Sequence, residues 1–212
     1  MSTLLHLDSS ANLTGSVSRR LTARFAEGWA VKGGTVVRRD LFLEQPPHLP
    51  TNALHWAPEL RTAQESVDPE AERYQQQLIA ELMAADVVLV GAPMYNWSVP
   101  STLKAWIDWI HVSGTSAPAS SVEPPPLAGR PIVIVSARGG AYGPGSGNAD
   151  NELASLNQLF AGSMKMAVHP VLAELTLADR AVDLAPFRAD GEASLTAAEA
   201  EIDRLLAMLT HS

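Results

Sequence analysis

The sequence predicts an α/β protein with a five-stranded parallel sheet in the order 2-1-3-4-5 and helices on both faces. Strand-like and helical patterns alternate along the chain, which favours parallel strands joined by crossover helices. Residues 86–92 are almost wholly apolar and rich in valine, as expected of a strand buried on both faces. A length of 212 residues suits one domain of ordinary size, so we expect residues 1–212 to form a single domain.

The elements are predicted from runs of apolar residues and from their periodicity. Strands are expected at residues 3–8, 35–40, 87–91, 131–136 and 167–175, the last of them broken. Three helices are expected to begin at Ser16, Ser101 and Thr196. A fourth carries Ala71, Tyr74, Leu78 and Leu82 on one side, and a fifth occupies residues 151–162.

Capping residues support three of these helices. Ser16 precedes an apolar face and Gly33 stops the helix that it opens. Ser101 follows a proline and is a natural N-cap, while Thr196 and Glu199 have the spacing of a capping box. These signals predict where each helix begins.

Three stretches predict connections instead. Residues 41–69 contain five prolines and indicate a long connection with some helix around 54–64. Residues 114–129 are rich in proline, serine and alanine, and residues 137–147 are rich in glycine, so both are predicted to be loops. The chain shows no internal repeat and no linker that would divide it into domains.

The loops after strands 1, 3 and 4 hold the unusual residues, and the predicted topology brings the carboxyl ends of these strands to one edge. Residues 9–18 contain five hydroxyl side chains before a helix N-terminus, where free N–H groups can bind phosphate without a cation. Residues 94–97 (Met-Tyr-Asn-Trp) offer aromatic surface for a flat ligand. The glycines of 137–147 allow close approach to the backbone. Each loop also has a purely structural alternative. The first would be a helix N-cap with a solvated loop, the aromatic residues of the second would cover the sheet edge, and the third would be a flexible loop.

Composition and motifs exclude several functional classes. A net charge of −8 without a basic patch argues against a nucleic acid or an anionic membrane as partner. The sequence has no long apolar run, no basic leader and no cysteine, which favours the cytoplasm and assigns redox work to a cofactor. The histidines are scattered, so no metal site is expected, and the absence of G-x-S-x-G argues against an α/β-hydrolase. His6, within a buried strand, is expected to be a satisfied core histidine.

Several of these motifs together resemble a known family. They are Ser9-Ser10 with Ser16-Val-Ser18, Pro93-Met-Tyr-Asn-Trp97 with Leu103-Lys104 and Asp108, and Arg138-Gly-Gly140. In one register from residue 3 to about residue 162, they are similar to the FMN-dependent NADH-azoreductases, also called FMN-dependent NADH:quinone oxidoreductases. The Met-Tyr-Asn-aromatic block after a buried strand is the more specific signal, and the serine loop is less so.

The resemblance implies a flavodoxin-like homodimer that binds one FMN per subunit at the dimer interface. It implies that Ser10, Ser16, Val17 and Ser18 hold the phosphate and ribityl chain, and that Met94, Tyr95, Asn96, Trp97, Ala137, Arg138, Gly139 and Gly140 line the isoalloxazine ring. No catalytic side chain is implied beyond supporting roles for Tyr95 and Asn96. Ala137 stands where the family commonly has serine, and residues 115–126 lack an aromatic pair often found there, which affects acceptor preference.

The expected activity is the reduction of quinones or azo compounds by NADH or NADPH, with ping-pong hydride transfer through bound FMN, because one planar slot serves donor and acceptor. A flavodoxin-like electron carrier and a non-enzymatic nucleotide-binding module are the alternatives from other classes. The helical register of Trp106 and Trp109 predicts that they pack in the core or at an interface. Together with Tyr142 they are expected near the sheet edge as aromatic surface for the homodimer.

Overall fold

The computed structural model describes residues 2–120, 124–143 and 145–210, and it contains a five-stranded parallel sheet in the predicted order. The strands are β1 (Thr3–Asp8), β2 (Thr35–Asp40), β3 (Val87–Pro93), β4 (Pro131–Ala137) and β5 (Ala167–Ala173), arranged β2-β1-β3-β4-β5. The bounds of β1 and β2 are those predicted, whereas β3 and β4 run further because residues 93 and 137 still pair with each other. β5 ends before Leu175, whose φ of 58° belongs to a turn.

Helices cover both faces of the sheet, as predicted. They are α1 (Val17–Val31), α2 (Pro69–Ala84), α3 (Ser101–Ile110), α4 (Asn151–Asn157), which continues into a π-helical turn (Gln158–Ser163), and α5 (Arg188–Thr210). Buried side chains of α1 and α5 pack on one face, and those of α2, α3 and α4 pack on the other. Every residue of β3 is buried between these two layers.

The tryptophans of α3 point into the core. Trp106 and Trp109 are each 1% exposed. The Trp109 indole donates a hydrogen bond to Pro47 O at 2.7 Å, and Tyr74 meets it edge-on with ring centroids 5.0 Å apart. Core packing, one of the two predicted roles, is therefore confirmed, whereas the expectation of exposed aromatic surface is wrong for both tryptophans because the apolar stripe of α3 faces the sheet. Tyr142 is half-buried.

Two predicted N-caps are also wrong. α3 starts at Ser101 without any side-chain cap, and its first backbone bond runs from Lys104 N–H to Pro100 O. Thr196 lies inside α5 and donates its hydroxyl to Glu192 O, because the helix already begins at Arg188. A tertiary contact supports the part of α5 that precedes Thr196. Ser194 Oγ accepts the N–H of Glu174 at 2.9 Å beside the end of β5.

The long connection between β2 and α2 contains two short 3-10 turns, Asn52–His55 and Pro58–Leu60, instead of a continuous helix at 54–64. The two turns are separated by extended residues, since Trp56 has a ψ of 140° and Ala57, which precedes Pro58, has a ψ of 147°. Gln75 of α2, only 3% exposed, holds the connection in place. Its amide donates to Leu54 O at 2.8 Å and to Trp109 O at 3.0 Å.

We expect Gln75→Met to lower the free energy of unfolding by about 2–4 kcal/mol, because it leaves two buried carbonyl groups without donors. The matched variant Gln76→Met changes an exposed neighbour on the same helix and should stay within about 0.5 kcal/mol of wild type. Urea unfolding of the three proteins measures the difference. Equal stabilities of the two variants would contradict the anchoring role of Gln75.

Candidate functional site

A cavity of about 320 Å³ opens at the edge of the sheet where β1, β3 and β4 end. It is lined by Ser10, Asn12, Gly15, Ser16, Val17, Pro93, Met94, Tyr95, Ala137, Gly139, Thr176, Leu177 and Arg180. These residues belong to the three loops singled out from the sequence and to the segment that follows β5. None of the lining residues is acidic, so the cavity suits an anionic ligand.

The N-terminus of α1 forms one end of the cavity. Ser16 is its N-cap, with Oγ accepting the N–H of Arg19 at 3.3 Å and lying 3.0 Å from Ser18 Oγ. In the described part of the chain, the N–H groups of Val17 and Ser18 have no hydrogen-bond partner. Two free N–H groups, two hydroxyls and the positive end of the helix dipole therefore meet here, as in a phosphate site.

Arg19 holds the loop after β1 in place. Its Nε and Nη2 donate to Ser10 O at 3.1 and 2.7 Å, and its Nη1 and Nη2 form a bidentate pair with Asp40 at 2.5 and 2.9 Å. Burial alone would raise the pKa of Asp40, but the hydrogen bonds from Arg19 and from two backbone N–H groups outweigh it and lower that pKa. The loop is thus tied to the end of β2.

The end of β1 carries a second polar group below this loop. Asp8 accepts the hydroxyl of Thr22 at 2.8 Å, and Gly91 of β3 leaves room for it, since a Cβ at Gly91 would lie 2.8 Å from Asp8 Oδ1. His6 is buried with Nε2 only 3.1 Å from Asp8 Oδ2, but neither ring nitrogen makes a hydrogen bond of acceptable geometry within the described residues. The prediction that His6 is a core histidine is confirmed, whereas its expected hydrogen bonding is not.

Residues 95–98 form a tight hairpin after β3. Tyr95 N–H donates to Ser98 O at 2.9 Å, and Ser98 N–H donates to Tyr95 O at 3.1 Å. Asn96 and Trp97 have φ values of 49° and 63°, which makes this a type I′ turn built without glycine. Such a conformation costs of order 1 kcal/mol or more per residue. It presents Trp97 to solvent with 60% of its surface exposed.

The Tyr95 hydroxyl connects this turn to the loop after β1. It accepts the N–H of Ala11 at 3.0 Å and lies 3.3 Å from Ser10 Oγ. The ring of Tyr95 is 36% exposed and lines the cavity between the two loops. The side chain therefore sets the separation of the α1 end of the cavity from its β3 end.

The loop after β4 has unpaired N–H groups, one of them from Gly139 on the cavity wall. The carbonyls of Arg138, Gly139 and Gly140 accept N–H groups from residues 175–177 at 2.9–3.3 Å. The N–H groups of Gly139 and Gly140 have no partner among residues that the structure describes. Leu177 packs so closely on this loop that a Cβ at Gly139 would lie 2.6 Å from its Cδ1. The carbonyls of this loop thus face residues 175–177, and the N–H groups of Gly139 and Gly140 remain free.

The Arg138 side chain does not reach the cavity. It is 1% exposed and lies behind the loop, where Nη1 meets Asp150 Oδ2 at 2.7 Å and Glu174 Oε1 at 3.5 Å. Its Nε donates to Ser136 Oγ at 3.0 Å. Three side chains hold the guanidinium away from solvent, so only the backbone of Arg138 can face a ligand.

Glu152, at the start of α4, belongs to the same buried cluster. It is fully buried, accepts the hydroxyl of Ser136 at 2.6 Å and has Oε2 3.8 Å from Arg138 Nε. Burial raises the pKa of Glu152 to about 7, although the hydrogen bond from Ser136 and the charge of Arg138 oppose that rise. Glu152 Oε1 and Arg138 Nη2 lack hydrogen-bond partners in the described part of the chain.

The structure brings seven of the twelve predicted site residues to the cavity wall, namely Ser10, Ser16, Val17, Met94, Tyr95, Ala137 and Gly139. Ser18, Asn96, Trp97, Arg138 and Gly140 lie outside the wall. Sequence reasoning missed Asn12, Gly15, Pro93, Thr176, Leu177 and Arg180. Arg180 is an exposed cation without an ion pair among the described residues. An arginine soon after the last strand was the available signal for it.

A second, largely apolar groove of about 330 Å³ begins next to the hairpin at Ser98 and Val99. It continues along α3 and α4, lined also by His55, Lys104, Ile107, Asp108, His111, Ser155, Leu156 and Leu159. His111 Nε2 lies 2.8 Å from Ser163 Oγ in the π-helical turn, and burial lowers the pKa of His111. Exposed Trp97 and this groove together leave apolar surface beside the cavity.

Two further features concern metal ligands and membrane spans among the described residues. No cluster of three or more His, Cys, Asp or Glu side chains in that part of the chain is arranged to hold a metal ion. No helix there is both long enough and apolar enough to cross a membrane. Of the predicted loop 115–126, which lacks the aromatic pair, residues 121–123 lie outside the described residues, as does Pro144 of the predicted loop 137–147.

Comparison with known proteins gives consistent relatives. The family described as having a flavodoxin-like fold matches residues 2–206. An FMN-dependent NADH:quinone oxidoreductase of Kineococcus radiotolerans is 44% identical over 199 residues, which cover 92% of this chain and 93% of that protein. A protein of the same name from Streptomyces coelicolor is 39% identical, covering 85% of this chain and 82% of its own.

Solved structures share the architecture. An FMN-dependent NADH-azoreductase of Bacillus anthracis, determined in complex with FMN, has a TM-score of 0.78 and 18% identity, covering 99% of this chain and 100% of its own. At that identity the likeness shows the fold, which is flavodoxin-like as predicted.

We expect Glu152→Gln to stabilise the protein increasingly as the pH rises from about 4.5 to 7.5. Because burial raises the pKa of Glu152 only in the folded state, the unfolded chain loses this proton at a lower pH than the folded protein does. The stability contributed by this group is therefore fully present below the unfolded pKa. It is lost as the pH rises through about 7, at a cost of order 3 kcal/mol. Glutamine is neutral throughout and avoids this loss. Urea unfolding at several pH values tests it, and a stability difference that does not change with pH would contradict the raised pKa.

Proposed function

The chain belongs to the FMN-dependent NADH:quinone oxidoreductases within the flavodoxin-like-fold family, and from that membership we propose that its cavity binds FMN and that the protein reduces quinones or azo compounds with NADH. One observation carries the proposal. The cavity has free N–H donors at two ends, from α1 and from the loop after β4, and no acidic lining residue. A ligand with a phosphate at one end and a polar aromatic edge at the other fits this arrangement.

The α1 end of the cavity fits the phosphate of FMN. The free N–H group of Val17 and the hydroxyl of Ser16 line the cavity and would supply donors to a dianion, with the buried Ser18 hydroxyl 3.0 Å behind Ser16 Oγ. Arg180, which also lines the cavity, adds a positive charge without competing ion pairs among the described residues. Arg19 supports this end indirectly by fixing the carbonyl of Ser10.

The other end of the cavity fits the isoalloxazine ring. Met94 and Tyr95 supply apolar and aromatic surface, and Ala137 adds a small apolar wall. The N–H groups of Gly139 and Gly140 are free to bond the polar edge of the ring. Asn96 and Trp97 follow Tyr95 in the hairpin outside the cavity wall, from where Asn96 would contribute its amide and Trp97 its exposed face to the bound ring.

Bound FMN would supply the redox chemistry, which is hydride transfer from NADH to a quinone or azo acceptor with the balancing proton taken from water. The chain contributes binding, orientation and the exclusion of water from one face of the ring. No acidic or histidine side chain lines the cavity, which supports a mechanism without a side-chain acid or base. Donor and acceptor would use one slot in turn, so a ping-pong rate law is expected. The supply of NADH in the cytoplasm makes that compartment the proposed location.

Purified protein should be yellow, should bleach when NADH is added without oxygen, and should recover its colour when a quinone follows. Parallel lines in double-reciprocal plots of initial rates are expected for the shared slot. A flavodoxin-like electron carrier would hold FMN without steady NADH oxidation, and a nucleotide-binding module would stay colourless. Either result would reject the proposed enzyme.

Ser16→Ala tests the phosphate assignment. Removing one charge-assisted hydrogen bond, which is worth about 1.5–3 kcal/mol, should weaken FMN binding roughly ten- to 150-fold. Riboflavin, which has no phosphate, should bind almost as it does to wild type. Fluorescence quenching measures both affinities.

The matched control is Thr51→Ala, which removes a hydroxyl N-cap from the distant 3-10 turn at Asn52–His55. It should lower stability without changing the affinity for either flavin. Equal losses of FMN and riboflavin affinity in Ser16→Ala would show that Ser16 shapes the cavity and does not bind phosphate.

We also propose that the protein is a homodimer, with the partner seated on the apolar groove along α3 and α4. Ile107, Leu156 and Leu159 supply the apolar lining, and exposed Trp97 lies at the hairpin where the groove begins. Trp56 is also 42% exposed, at a bridge to Ser113 that follows α3. A second copy placed there would cover the open side of the flavin cavity as well.

Leu159→Glu should convert the dimer to a monomer, because it places a carboxylate in the apolar groove. Val31→Glu changes a residue that is 88% exposed at the end of α1 and should leave the dimer intact. Light scattering after size exclusion measures both masses. A wild-type monomer at working concentration would reject the dimer.

A further inference from the structure

We propose that Arg138 is a positioning residue for the flavin, which it never touches with its side chain. By holding the loop after β4 from behind, it fixes the direction in which the Gly139 and Gly140 N–H groups face the ring. The inference rests on the proposed binding of FMN in the cavity. It assigns a role in the site to the buried ion-pair cluster of Arg138, Asp150, Glu152 and Glu174.

Arg138 joins three separate parts of the fold. Its backbone continues β4, and its N–H donates to Ala173 O at the end of β5 at 2.8 Å. Its Nη1 meets Asp150, whose carboxylate also caps α4 by accepting the N–H of Leu153 at 3.0 Å. The same Nη1 lies 3.5 Å from Glu174, just beyond β5. The guanidinium therefore sets where the loop sits relative to the following helix and strand.

Glu174 clamps the loop at a second place. Its Oε1 accepts the N–H of Tyr142 at 2.9 Å while it also meets Arg138 Nη1. The loop between these two points has its carbonyls bonded to residues 175–177. Peptide planes held in this way cannot rotate without breaking several hydrogen bonds. The free N–H groups of Gly139 and Gly140 consequently keep one orientation.

The composition of the cluster supports a positioning role over a purely structural one. Removing a guanidinium and carboxylates from water is costly, and apolar side chains often fill such a space with equal or greater stability. Arg138 Nη2 and Glu152 Oε1 are buried without partners in the described residues, so the cluster does not even satisfy all of its own polar atoms. What the charges provide is a fixed geometry, because a planar guanidinium binds carboxylates in defined directions.

Fixed donors at this loop would affect the reduced flavin more than the oxidised flavin. The carbonyl oxygens and nitrogens of the ring become more electron-rich on reduction, so correctly aimed N–H groups stabilise the reduced form preferentially. Misaimed donors should therefore weaken the binding of the ring and lower the midpoint potential. The phosphate end of the cavity should be unaffected, since its donors belong to α1.

The test compares Arg138→Met and Asp150→Asn with wild type and with Arg130→Met. Asp150→Asn keeps an oxygen to cap α4 while it removes the charge that holds Arg138. Arg130→Met is the matched control, because Arg130 lies at the opposite end of β4 and donates to Leu82 O and Met83 O at 3.0 and 2.8 Å. Affinities for FMN and riboflavin and the midpoint potential of bound FMN are measured on folded protein.

Arg138→Met and Asp150→Asn should weaken FMN and riboflavin by the same factor, about tenfold, and should make the midpoint potential more negative. Arg130→Met should leave both affinities and the potential unchanged even if its melting temperature falls. If Arg138→Met does not fold, Asp150→Asn and Glu174→Gln decide the matter, since Gln retains an oxygen for Tyr142 N–H. Wild-type affinities and potential in these folded variants would overturn the inference. Wild-type protein that binds neither flavin would instead overturn the proposed function, and the inference with it.

Discussion

The parallel pairing of β3 between β1 and β4 is the constraint on which the site depends. Gly91 of β3 pairs with Asp8, the last residue of β1, and Pro93 of β3 pairs with Ala137, the last residue of β4. The three strands therefore end close together at one edge of the sheet. Every residue of β3 is buried, and a shift of one residue would exchange its two buried faces. The register is therefore strongly specified by the core, and the three loops that follow these strands meet because of it.

Two arginines then hold the loops that the sheet has brought together. Arg19 grips the carbonyl of Ser10, and Arg138 lies behind the glycine loop, each with carboxylates as its other partners. The carbonyl of Ser10 is bonded to Arg19, and the carbonyls of residues 138–140 are bonded to residues 175–177, whereas the N–H groups of Val17 and Gly139 stay unpaired at the cavity among the described residues. A site built of backbone donors needs such supports, because loops without them fluctuate.

Much of this fold could be predicted because its signals are local. The strands β1 and β2 were predicted to their last residue, since short runs of apolar or β-branched residues bounded by turn residues need no tertiary information. The Thr196 cap failed because a contact between Ser194 and Glu174 extends α5, and such contacts override capping preferences. For Arg138, the sequence shows that a positive charge follows β4. It does not show whether the side chain points into the cavity or away from it. Arg180 was missed because no motif surrounds residue 180. The order of the strands decides that the segment after β5 lines the cavity.

The contact between Gly139 and Leu177 has an evolutionary consequence. Any side chain at position 139 would meet Leu177 Cδ1 at 2.6 Å, and the loop cannot retreat because its carbonyls are bonded to residues 175–177. An alanine at position 139 would therefore require the Leu177 side chain, which is 44% exposed, to rotate away or to be replaced by a smaller one. The two positions, far apart in sequence, are for this reason expected to change together among relatives of this protein.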